Sequence, residues 1–175
     1  MQSVFHCRLR YFGEMSWRED VRRVDWGAFE GAYGAASDLP SELDRLCSPE
    51  ADHGSVSFMH QGDVYEVTPH VVPYLISIAE DEDVPITSRL EVMQILVAMA
   101  EREPPSNPGA RFNPFTKQAE PRPSAPFAAL VKSIHATHAA LRREEHRVVA
   151  LTKHANEALC ALAKELRSQL AQLTS

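Results

Sequence analysis

Three observations predict an all-α fold, made of antiparallel helix pairs followed by a long C-terminal helix or helical hairpin. Seven glycines and 7% aromatic residues are too few for the turns and β-rich runs of a sandwich. Apolar residues recur at three- and four-residue spacing through 71–100. Residues 127–173 contain neither proline nor glycine. Within them Phe127, Val131, Ile134, His138, Leu141, Glu145, Val148, Thr152, Ala155, Leu159, Leu162 and Leu166 alternate at steps of four and three, a coiled-coil-like seam with polar interruptions. One very long helix fits that seam, and so does a hairpin bent around 142–147. The bend is preferred because isolated long helices are uncommon in small domains.

Taken in order, residues 1–24 form an N-terminal segment. Asp25 is placed to cap a short helix through Tyr33, with Trp26, Phe29 and Tyr33 on one face and Gly34 as its stop. A second short helix starts at Asp38, with Pro40 in its first turn and Leu39, Leu43 and Leu46 as the buried stripe. Residues 50–67 are ambiguous: Val56, Phe58 and Met59 fit a degenerate helix, while His60-Gln61-Gly62-Asp63 reads as a turn. Thr68-Pro69 is a strong helix start, and Pro73 is tolerable near the beginning of that helix. After the acidic turn at 80–83, residues 86–103 are apolar on most sides, the mark of a helix held between neighbours. The proline-rich stretch 104–126 is expected to be a loop, and 127–175 to pack on the helices of 25–103.

Composition narrows the function classes. Cys7, Cys47 and Cys160 are odd in number and far apart, so neither a disulfide framework nor a zinc knuckle is expected. No signal peptide or spanning segment is legible, which makes the cytosol the expected compartment. The net charge of -6 is unevenly spread. Residues 24–103 carry sixteen acids against three arginines, whereas 104–175 carry ten bases against five acids. An acidic middle repels phosphate backbones and attracts a basic protein.

An internal repeat carries the one family likeness. Residues 38–52 align with 71–85 at an offset of 33, Pro40 falling on Pro73 and Leu43 on Ile76. The pattern of proline, amphipathic helix, acidic turn and second helix resembles HEAT or armadillo-type helical repeats. More narrowly, Trp26, Tyr33-Gly34, Pro40, His60-Gln61-Gly62, Val64-Tyr65-Glu66, Thr68 and Pro73 resemble the motif positions of a group of small bacterial HEAT-like proteins. The likeness covers roughly residues 25–100 and implies a short HEAT-like array that binds partners over a broad surface.

Chemistry-bearing motifs are weighed against that background. His60-Gln61-Gly62 with Tyr65 and Glu66 reads as a turn with bracing side chains, because no nucleophile with an orienting base lies nearby in sequence. His135 and His138 sit three apart on a helix but lack the carboxylate or His-Glu-x-x-His context of a metal site. Neither metal, cofactor nor catalytic residue is therefore expected. Asp38, Glu42, Asp44, Asp63, Glu66, Glu80, Asp81, Glu82 and Asp83 are the candidates for a partner-binding acidic surface. Trp26, Tyr33, His60, Gln61, Gly62, Tyr65, Thr68 and Pro73 are the structural motif. The expected function is that of an immunity-type protein, which binds and inhibits a bacterial toxin with a basic surface. A scaffold role, and a HEAT-like DNA glycosylase disfavoured by the charge map, are the alternatives.

Overall fold

The computed structural model describes residues 16–48, 56–105, 110–113, 118–121 and 124–173. Ser16 starts α1 (Trp17–Val21), its hydroxyl accepting from the Arg18 N–H. The next stretch departs from the expected short helix. Trp26–Ala28 makes a single 3-10 turn, and β1 (Glu30–Gly31) then pairs antiparallel with β2 (Gly34–Ala35) around Ala32-Tyr33. Trp26 and Tyr33 share no helical face: Trp26 is buried, while Tyr33 stands exposed at the hairpin turn. Gly34 has φ +107° and closes that turn. A glycine marks a helix stop and a hairpin turn equally well, which is why spacing alone favoured the wrong element.

α2 (Leu39–Leu46) follows, with Leu39, Leu43 and Leu46 buried as the stripe predicts. A second hairpin comes next, β3 (Met59–His60) with β4 (Asp63–Val64) around Gln61-Gly62, in place of a degenerate helix. It leads into α3 (Thr68–Glu80). The two units are the same local structure written twice: hairpin, three-residue link, helix with proline in its first turn. Their helices start at Leu39 and Thr68, so the structural offset is 29 residues and Pro40 matches Pro69. The 33-residue alignment is out of step by four, close to one helical turn, and for that reason still superimposed the apolar stripes.

α4 (Ile86–Glu101) supplies the centre of the core and packs against α3, α7 and α5. The Asp63–Arg102 ion pair at one end and the Arg89–Ala79 hydrogen bond at the other show that α3 and α4 run antiparallel. The proline-rich region holds a further hairpin, β5 (Ala110–Asn113) with β6 (Gln118–Pro121). Beyond it come α5 (Ser124–Arg143), α6 (Glu145–Leu151) and α7 (Glu157–Gln172). The C-terminal part is thus three helices rather than one or two. The break at 142–147 falls at Glu144, and a second lies at Thr152–Asn156, where Asn156 accepts from the Leu159 N–H to start α7. One cluster of buried apolar side chains runs from Leu39 and Leu43 through Leu75, Met93 and Leu96 to Ile134, Leu141 and Leu166, joining both halves of the chain. The fold is mostly helical, with three two-stranded ladders among the described residues.

Candidate functional site

The two hairpins lie side by side at the end of the molecule where α3 begins. Ala32 N–H donates to the Ser57 carbonyl at 2.6 Å, and Val67 N–H donates to the Glu30 carbonyl at 3.2 Å. Gly31 permits this approach, because a Cβ there would lie 2.8 Å from the Ser57 carbonyl oxygen. Across the tips, the Tyr33 hydroxyl and His60 Nδ1 are hydrogen-bonded at 2.8 Å, with the rings edge to face at 5.4 Å. Tyr33 is 60% exposed, the one large apolar side chain so exposed among the described residues. Gln61 holds φ +51° and Gly62 φ +80°. Positive φ at both central residues is what a tight two-residue hairpin of this kind requires, and a non-glycine side chain there is uncommon.

Beneath the tips the motif residues do structural work. The Thr68 hydroxyl donates to the buried Phe58 carbonyl at 2.5 Å and accepts from the partly buried Tyr65 N–H at 2.8 Å. Thr68 is thus the first residue of α3 rather than its cap, and its side chain fastens the second hairpin to the helix. Trp26 Nε1 donates to the Val21 carbonyl at 2.6 Å, and its ring meets Phe29 and Tyr74. Tyr65 is half-buried; burial, then the nearby Asp63, push its phenol above the ordinary range. Pro73 lies within α3, and its carbonyl accepts from the Ser77 hydroxyl and from Arg147.

The nine candidate carboxylates do not form one surface. Asp38, Glu42, Asp63 and Glu66 lie toward the start of α3, and Glu80, Asp81, Glu82 and Asp83 at its end, 13 residues or roughly 20 Å away at about 1.5 Å per residue. At the hairpin end, Asp38 and Glu66 are exposed, and Glu66 accepts from the Glu30 N–H at 3.3 Å. Asp63 pairs with Arg102. On α2, Glu42 turns inward and accepts from both the N–H and the hydroxyl of Ser57 at 2.8 Å, while Asp44 pairs with Arg22 and lies near Cys47, as Asp81 does, toward the far end. At the far end, Glu80 pairs with Arg147 at 2.5 Å. Asp81 takes hydrogen bonds from Trp17 Nε1 and Arg18. Burial works against the charge of Asp81, but those donors and the Asp83 N–H hold its carboxyl below the usual range. Glu82 and Asp83 are exposed at the turn. Spacing did not reveal Glu30 and Gly31 as part of the hairpin end. The signal lay in E-G-A-Y-G and M-H-Q-G-D, short turn sequences repeated at the 29-residue offset.

Among the described residues no three His, Cys, Asp or Glu side chains are grouped to hold a metal ion, and no helix is long and apolar enough to cross a membrane. What the hairpin end offers chemically is recognition: a fixed aromatic ring and an imidazole, on hairpins whose strands and following links also carry the exposed carboxylates of Glu30, Asp38 and Glu66. No protein-family model matches the sequence, and neither a curated protein nor a solved structure is significantly similar to it.

Proposed function

We propose that this chain is a cytoplasmic protein-binding module of the immunity type, a short HEAT-like array that neutralises a toxin by docking on its basic surface. The observation that carries this reading is the Tyr33–His60 pair, hydrogen-bonded across two hairpins and exposed at the end of the molecule that also carries exposed Glu30, Asp38 and Glu66. A preorganised tyrosine makes an effective interface anchor, since little side-chain freedom is lost when a partner covers it. Exposed Glu30, Asp38 and Glu66 add steering toward a positive patch. The far group of acids contributes less, because Glu80 and Asp81 already have cationic partners. On this reading the chain binds and does not catalyse.

The test is co-expression with a toxin encoded beside it, scored for survival and for a complex at micromolar concentration. Tyr33→Ala and the double change Glu30→Lys with Glu66→Lys should each weaken the complex by at least about tenfold, which corresponds to roughly 1.4 kcal/mol. Unaltered protection and affinity in both variants would exclude this docking surface.

A further inference from the structure

A second surface lies along the outer face of α3. An open groove of about 740 Å³, within the size range of ligand clefts, runs between α1 on one side and the end of α5 with α6 on the other. Its floor is Pro69, His70, Pro73 and Tyr74, and Trp17 forms part of the α1 wall. These are flat, stiff rings. Tyr74 is fixed further by its hydroxyl, which donates to Asp20 at 3.2 Å, and its ring stands edge-on to Trp26 at 5.8 Å.

Most charges on the groove are matched from within. Arg147 is held by Glu80 and Glu144, and Asp81 by Trp17 and Arg18. Asp20 has the Tyr74 hydroxyl. Arg143 differs: it is exposed on the groove wall, and among the described residues no carboxylate lies within ion-pair distance of it. A ligand that complements this surface brings a carboxylate to Arg143 and flat apolar groups to the rings. A nucleic acid fits poorly, because its row of phosphates would meet one unmatched cation, Arg143, and the exposed Asp20, whereas a single carboxylate needs only Arg143.

We infer that the α3 groove binds an extended peptide segment of a partner protein, with proline or aromatic residues at its centre and an acidic residue set against Arg143. Proline-rich segments dock on aromatic-lined grooves because their extended backbone is already ordered, and the carboxylate fixes the direction of binding. The inference goes beyond the docking role proposed for the hairpin end and does not depend on it.

The experiment pans a random linear-peptide library on the full-length chain, then titrates the enriched peptides as synthetic probes while following the two indole N–H signals by NMR. Trp17 lies in the groove and Trp26 is buried, so the two signals separate local contact from global change. The expected result is enrichment of proline or aromatic residues next to Asp or Glu, with a shift of the Trp17 signal. Arg143→Glu, a surface change, should weaken those peptides by about tenfold or more, whereas Tyr33→Ala should leave them bound. Three results overturn the inference: no enrichment, enrichment of basic peptides, or binding lost in Tyr33→Ala and kept in Arg143→Glu. The last would leave the hairpin reading standing while removing the groove.

Discussion

Glu42 separates a structural carboxylate from a docking one. It is 9% exposed, and one oxygen accepts from both the N–H and the hydroxyl of Ser57 at 2.8 Å, in a region where Ser57 itself is buried. Glu42→Ala strands a buried backbone donor, which costs about 1–3 kcal/mol, and removes a charge-assisted bond to the hydroxyl as well. The combined loss is about 3 kcal/mol. For a chain of this length each kcal/mol lowers Tm by roughly 2–4 °C, so the expected fall is roughly 6–12 °C. Glu42→Gln retains an oxygen that accepts both bonds and loses only the assistance of the charge, about 1 kcal/mol. Thermal unfolding followed by circular dichroism, with urea titration for the free energy, measures both. An alanine variant as stable as the parent would refute the reasoning, and so would a glutamine variant as damaged as alanine. Loss of partner affinity with unchanged stability would return Glu42 to the docking surface.

Other perturbations follow from the same construction. Thr68→Val preserves shape but removes the partner of the buried Phe58 carbonyl and of the partly buried Tyr65 N–H, and should cost about 1–3 kcal/mol in urea unfolding. Gly31→Ala drives a Cβ to 2.8 Å from the Ser57 carbonyl oxygen. Amide exchange at Ala32 and Val67 should then accelerate before exchange in α4 does, because the hairpins part first. His138 is buried, and that burial, with His135 and Arg142 adding to it, holds the imidazole below its ordinary range against backbone contacts at Met99 and Arg102 that favour the charged form. The unfolded chain therefore takes up this proton first. The stability due to neutral His138 is complete above about pH 6.5 and declines as pH falls through that value toward the lower folded pKa. His138→Leu should flatten this part of the pH–stability profile, and an unchanged slope would assign it to other groups.

Much of the helical framework was legible because burial and period coincide. Leu39, Leu43 and Leu46 on α2 and the broadly apolar α4 follow from spacing. The seam, by contrast, runs unbroken through 142–147, so the bend there was favoured only by helix length and the second break at 152–156 was not visible. The hairpins were not legible by that route, since two-residue strands are too short to show an alternating pattern. Trp26, Phe29 and Tyr33 fall at helical spacing by coincidence, and only the glycine at 34 and the pair at 61–62 carry the turn information. Nor does charge density along a sequence report pairing. Glu42, Asp44, Asp63, Glu80 and Asp81 look alike as acids, yet each is engaged by a specific donor once the chain folds. The groove was hidden because it joins α1 to α5 and α6, more than a hundred residues apart.

The most direct measurement is calorimetric titration of the purified chain with the purified product of the adjacent open reading frame, as the candidate toxin, repeated with Tyr33→Ala. Our account gives a one-to-one complex of micromolar affinity or tighter that weakens with added salt and loses about tenfold or more on the tyrosine change. Absence of binding, or binding indifferent to both salt and Tyr33, contradicts it.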